Sequence, residues 1–382
     1  MKAFIGGAVA RFAAGRRSWL PGWARPAPES GSPEAELQAL PPPLRTRLHQ
    51  AITRLPAPQA SRTAISEALE EGLRTWRQQP QAGNALVILA NPLEPLERYL
   101  TDTLSGDVLS PDGDLGGCRL VVPLPVAPRR ADPLSTAEQV REAFRSLPEP
   151  PADGAEGGAE GGGTTTLVLI PALEMLVLRC IGGWESVELL RAELVKRPDL
   201  FWVIGCNRWA WRFLDAVVQA EACFGEPVGL PRLQGDDLKS WLLALDGLPE
   251  ALEQGTEDED WQELADLAKG VGSIAARLWL DGLCVADDTG ITATVPALRS
   301  LPALLGLDRH LLHGVLIHGR VSRAHLCRSL GESEGRMDAR SQWLLRQGIL
   351  ELQQGVLSVS PLYYRHIASE LANNNFFVES DG

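Results

Sequence analysis

Four short runs of the chain are apolar with almost no interruption, and they organise what lies between them. They are residues 84–90 (NALVILA), 119–124 (RLVVPL), 167–170 (LVLI) and 201–204 (FWVI). Each has the length of a strand, and none alternates apolar with polar positions. Strands of that kind are covered on both faces, as in a parallel sheet. The intervening stretches carry apolar residues at helical spacing instead. Val187, Leu190 and Leu194 fall on one face of 185–196, and 137–147 reads as a short amphipathic helix. Strand, helix, strand, repeated, predicts an α/β core.

The flanks read differently. Leu44, Leu48, Ile52 and Leu55 share a helical face until Pro56 and Pro58 interrupt it. Ser61 is placed to cap a second helix striped by Ile65, Leu69, Leu73 and Trp76. The stretch 26–43 has linker composition, 104–117 carries the turn signals of a hairpin or loop, and 148–166 has the composition of a flexible loop. A helical region opens near 231, with two helices in 261–283 broken at Gly270 and Gly272. From 301 onward the pattern gives helices at 304–317, 323–330 (closed by Gly331) and 336–347. A hairpin of 348–352 with 356–359 and a last helix at 361–373 follow. Three helices and a β-hairpin in that order predict a winged helix. The expected division is a basic segment with linker (1–43), N-terminal helices (44–81), an α/β core (82–235), a helical lid (236–299) and a winged-helix domain (300–378).

Charge narrows the partners. The formal net charge of -13 argues against a general nucleic-acid coat. Nine acids and no base in 246–266 read as a solvated face with a loop. The first 25 residues are the exception, with five basic residues and no acid. Phe4, Ile5, Val9, Phe12, Trp19 and Trp23 can share one face there, so this stretch reads either as a peripheral membrane or partner-docking helix or as a frayed leader. Six widely spaced cysteines without a C-x-x-C pair read as reduced, buried thiols in a cytoplasmic protein, and the histidines are scattered, so no metal site is expected.

Candidate chemistry sits where strands give way to helices. After 84–90 comes Asn91-Pro92-Leu93-Glu94-Pro95-Leu96-Glu97, the place for a phosphate-binding turn. Such a turn needs glycines, a lysine and a hydroxyl. This one has none of them and offers Glu94 and Glu97, which repel phosphate. After 167–170 comes Pro171-Ala172-Leu173-Glu174, where magnesium-holding acids would stand. After 201–204 comes Gly205-Cys206-Asn207, with Asn207 either a site residue or a helix cap and Trp209, Trp211 and Phe213 read as core or interface.

Together these pieces resemble the AAA-type and STAND-type P-loop ATPases that end in a winged helix. NALVILA stands for the Walker A strand, LVLIPALE for the Walker B strand, FWVIGCN for the sensor-one strand, and GVGSIAARLW for the lid motif ending in a sensor-two arginine. The resemblance implies a three-layer, P-loop-NTPase-like parallel-sheet core with a helical lid, and vestigial nucleotide-binding positions at Asn207, Arg277 and Glu174. The Walker A residues are missing and Pro171 replaces the metal-binding acid, so no catalytic residue, cofactor or metal is expected. The leading expectation is a non-catalytic regulatory or scaffold protein with a protein partner. The alternatives are a DNA-binding regulator reading through Arg336, Arg340 and Arg346, and an ATPase with an atypical phosphate loop.

Overall fold

The computed structural model describes residues 37–79, 83–105, 117–149, 165–245, 258–286, 290–293 and 298–376. The expected surface helix near the N-terminus lies outside the described residues. So do most of the hairpin-or-loop stretch, the glycine-rich loop and most of the acidic run. The chain divides into two compact units, one from 1–55 with 233–297 and the other from 56–232 with 298–382.

The first unit joins the helix Pro42–Ile52 to three helices from later in the chain, Gly235–Leu243, Asp258–Leu267 and Gly272–Gly282. Ile274, Ala275, Leu278 and Trp279 are buried, and Trp261 stacks on Trp279 at 6.4 Å. Part of the expected linker is ordered. Leu37–Ala39 is a strand paired antiparallel with Leu283–Ala286, which pairs in turn with Gly290–Ala293. Arg45 is ion-paired with Asp281.

In the second unit we number elements in chain order. Helix α1 (Gln59–Gln78) precedes β1 (Ala85–Ala90) and α2 (Leu96–Ser105). Next come β2 (Cys118–Val121), α3 (Pro133–Arg145), β3 (Thr165–Ile170) and α4 (Glu185–Lys196). Then follow β4 (Phe201–Asn207), α5 (Arg208–Val218), α6 (Ala220–Phe224) and β5 (Val228–Gly229). The sheet has the order β2-β3-β4-β1-β5 and is parallel throughout, with Leu86 opposite Val203 and Leu169 opposite Val203 on the other side.

The apolar runs are explained by the two covers. On one face Leu86, Ile88, Leu167, Leu169, Phe201 and Val203 pack with Ile65, Leu69 and Leu73 of α1 and Tyr99 and Leu100 of α2. Alternate residues such as Val87, Val168, Trp202 and Ile204 are equally buried on the other face, where Phe144 of α3 meets Trp202 edge-on at 5.7 Å. This is a three-layer α/β core. Burying apolar side chains on both faces, at about 25 cal/mol per Å² of apolar surface, is its main source of stability.

Two expectations are corrected. The run at 119–124 is not a fully buried strand: β2 covers only Cys118–Val121, lies at the sheet edge with one neighbour, and is half-buried. Ser61 is not a cap, because α1 starts at Gln59 after Pro58 and Ser61 is buried within it. The two helices expected together in 44–81 also fall in different units.

The C-terminal part of this unit runs α7 (Gly306–His318), β6 (Val321–Ser322), α8 (Arg323–Leu330), α9 (Glu334–Arg346), β7 (Leu350–Gln353), β8 (Val356–Val359) and α10 (Tyr364–Asn373). Its small antiparallel sheet has the order β7-β8-β6. That is the element order expected of a winged helix. Ser322 caps α8 by accepting from the His325 N–H, and Gly331 ends it at φ 66°, a conformation that suits glycine.

Candidate functional site

The carboxyl rim of the parallel sheet is where the site residues predicted on β3 and β4 converge. Asn207 ends β4 with extended backbone and caps α5, its Oδ1 accepting from the Ala210 N–H at 2.8 Å. Glu174 sits on the short 3₁₀ turn Leu173–Leu176 after β3. The Asn207 N–H donates to Glu174 Oε2 at 3.2 Å, so these two predicted residues do meet. Gly205 permits the approach. A Cβ there would stand 2.5 Å from the Pro171 carbonyl oxygen and 2.6 Å from Leu100.

The turn after β1 is chemically closed. Pro92 and Pro95 have no N–H. The Leu93 N–H donates to Asn91 Oδ1 at 3.1 Å, the Glu94 N–H to the Asn91 carbonyl at 2.9 Å, and the Leu96 N–H to the Glu94 carbonyl at 2.9 Å. A phosphate cradle works by aiming free backbone N–H groups inward. Between Pro92 and Leu96 every N–H is absent or already donating. Glu94 accepts from the buried Tyr99 hydroxyl at 3.1 Å.

The rest of the rim is covered by residues the sequence did not single out. The end of α7 lies over it. Asn207 Nδ2 donates to the Ile317 carbonyl at 3.0 Å, and a Cβ on Gly319 would stand 3.9 Å from both Asn207 Nδ2 and Glu174 Cγ. Arg320 pairs with Glu97 at 3.0 Å. Arg129, on the connection between β2 and α3, donates to the carbonyls of Glu174 (2.7 Å), Arg320 (2.9 Å) and His318 (3.2 Å). Beside it, His325 Nε2 lies 2.7 Å from the Arg130 carbonyl, and Arg328 reaches the Ala131 carbonyl and Asp132. Trp209 Nε1 donates to the Tyr364 hydroxyl at 2.9 Å, and its ring meets His313 edge-on.

Electrostatics follow from this enclosure. Burial pushes the Glu174 carboxyl up to about 7; the Glu174 and Asn207 N–H groups oppose the shift, and Glu97 adds to it. Arg129 is lowered to about 10, again by burial. The buried His318 imidazole is held well below its ordinary range by burial and by Arg129 and Arg179, which keeps it neutral. Its Nε2 accepts from the Arg179 N–H at 3.4 Å, while its Nδ1 and the Nε of Arg129 have no hydrogen-bond partner.

The other predicted residues lie elsewhere. Arg277 belongs to the first unit, on the helix Gly272–Gly282, 3.7 Å from Asp281. On α9, Arg340 forms a two-pronged pair with the fully buried Asp308 (2.7 and 2.6 Å) and stacks over Trp343 at 4.7 Å. Arg336 pairs with Glu332 at 2.7 Å, and Arg346 is exposed. Among the described residues there is no cluster of three or more metal-ligating side chains, and no helix is long and apolar enough to cross a membrane.

No family model and no curated protein matches the chain. Solved structures show a distant similarity. Cdc6p from Pyrobaculum aerophilum is 13% identical over 86% of this chain and 98% of its own, with a TM-score of 0.36. The Aeropyrum pernix ORC2 protein, solved as ADPNP–ADP complexes, is 12% identical over 85% of this chain and 98% of its own, with a TM-score of 0.44. The ORC1 protein of the same organism, solved in complex with DNA, is 15% identical over 83% of this chain and 94% of its own, with a TM-score of 0.37. Likeness at this level concerns architecture, and no residue role or ligand is carried across.

Proposed function

We propose that this chain is a non-catalytic, ATPase-like protein that regulates or scaffolds other proteins through protein–protein contacts. The observation that supports this reading most is the turn after β1, where two prolines and three internally committed N–H groups leave no free backbone donor between Pro92 and Leu96 for a triphosphate. Glu94 and Glu97 beside it disfavour phosphate further. The rim position that would hold metal is Pro171, and the carboxyl of Glu174, three residues on, is pushed up to about 7 by burial, which weakens it as a metal ligand. Equilibrium dialysis of the full chain against labelled ATP with magnesium is the test. No retention at micromolar nucleotide is expected, and micromolar binding of ATP or ADP overturns the reading.

Duplex DNA binding through α9 is the weaker reading. It rests on Arg336 and Arg346, because Arg340 is committed to Asp308. Salt-dependent retention on random duplex, abolished by Arg336→Glu with Arg346→Glu, is what that reading requires.

A further inference from the structure

The joint between the sheet rim and the end of α7 is polar and incompletely satisfied; besides the Asn207 bond to the Ile317 carbonyl and the Arg320–Glu97 pair, Arg129 spans it. Arg129 is the clamp. A single guanidinium binds one carbonyl on the rim side (Glu174) and two on the covering side (His318 and Arg320). Three features argue against a permanent seal. First, the Glu174 carboxyl has no cation within salt-bridge distance; Arg129 binds its backbone oxygen instead, and Arg320 goes to Glu97. Second, the buried Nδ1 of His318 and the Nε of Arg129 have no hydrogen-bond partner, and a buried polar group left unsatisfied disfavours the closed arrangement. Third, the cover contains Gly319 at φ 68°, ψ −82°, a conformation open to glycine, directly between α7 and β6. Well-packed contacts between Trp209 and His313 and Tyr364 lie to one side, so a pivot is present as well.

We infer that His318–Arg320 form a releasable plug on the carboxyl rim of the sheet, clamped by Arg129, whose release uncovers the crevice bordered by Glu97, Glu174 and Asn207. This goes beyond the reading above, because the joint works in the same way whether or not the rim binds nucleotide. It makes the crevice available in one state of the chain and unavailable in the other.

Hydrogen exchange on the full chain tests the plug directly, because a backbone amide donates across the joint: the Arg179 N–H to the His318 side-chain Nε2. Arg129→Ala is expected to raise exchange of the Arg179 amide and of 318–322 at least tenfold. The sheet amides of 86–89 and 203–205 should stay within twofold of the parent protein. Unchanged exchange at Arg179 and 318–322 overturns the proposal. So does a rise of the same size at the rim and in the sheet, since that means Arg129 supports the whole fold. If Arg129→Ala does not fold, Arg129→Lys is read by the same criteria, because an ammonium group keeps the charge but lacks the fork that spans three carbonyls.

Discussion

Asp308 and Glu174 are both carboxyls enclosed in the same compact unit, and they are kept there by different means. Asp308 is fully buried and held by the fork of Arg340 at 2.7 and 2.6 Å, with the Leu305 N–H donating to it at 2.7 Å. Glu174 receives the Asn207 N–H at 3.2 Å and has no paired cation; its carboxyl rises to about 7. The first arrangement pairs the carboxyl with a cation, and the second raises it by burial without such a pair. The first joins α7 to α9 within the C-terminal part of the unit, whereas the second lies at a joint. Enclosure alone therefore does not mark a site. Asp308 has a paired cation, whereas Glu174 has Arg129 only at a distance beyond a salt bridge.

The comparison can be broken most severely at Arg340. Arg340→Ala leaves Asp308 buried and unpaired and is expected to cost about 3–5 kcal/mol, read as a lowered urea midpoint with unchanged slope. A loss below about 1 kcal/mol would mean that Asp308 finds water or another donor.

Glu174→Gln should act in the other direction. The carboxyl is raised from its ordinary 4.5 to about 7. Its contribution is therefore fully present below about pH 4.5 and is lost as pH rises to about 7. The glutamine variant escapes that loss and is expected to be more stable than the parent by about 1–3 kcal/mol at pH 8, with the difference vanishing near pH 4.5. His318 has the opposite sign. Its lowered basicity gives a contribution present above about pH 6.5 and lost as pH falls. The parent protein should thus show partial cancellation between about pH 4.5 and 6.5, and Glu174→Gln should leave the acid sensitivity of His318 exposed. Thermal melts of both proteins from pH 4.5 to 8 decide this; parallel curves would remove Glu174 from the account.

A smaller effect is expected at Asn207. Asn207→Ala removes the α5 cap and the bond to Ile317, a loss of about 1–2 kcal/mol, whereas Asn207→Ser keeps a capping oxygen and loses the donor to Ile317. If both variants cost the same, the cap contributes little. The smallest is Tyr364→Phe, which leaves Trp209 Nε1 without its acceptor and should cost about 1 kcal/mol, visible as a small shift in thermal midpoint.

The sheet was legible because its strands are apolar on both faces, a pattern that depends on nearest neighbours alone. Glu174 and Asn207 were legible for the same reason, since each follows such a run. The edge strand was over-read, because RLVVPL looks the same whether one neighbour or two cover it. Arg129, His318 and Arg320 were not legible. Arg129 sits in a proline-rich connection without periodicity, and the carbonyls it binds at His318 and Arg320 lie 189 and 191 positions away. No local composition announces such a contact. Arg340 was legible as a basic residue on a helix, but Asp308, which commits it, lies 32 positions earlier on another helix.

The two prolines of the turn after β1 bear on engineering. Substituting a glycine or a lysine into Asn91–Leu96 would not create a seat for a triphosphate, because Pro92 and Pro95 have no amide hydrogen to offer and the remaining amides hold the bend itself together. Building that seat would take exchange of the whole bend at once, because single substitutions would lose the present bend without gaining a ligand.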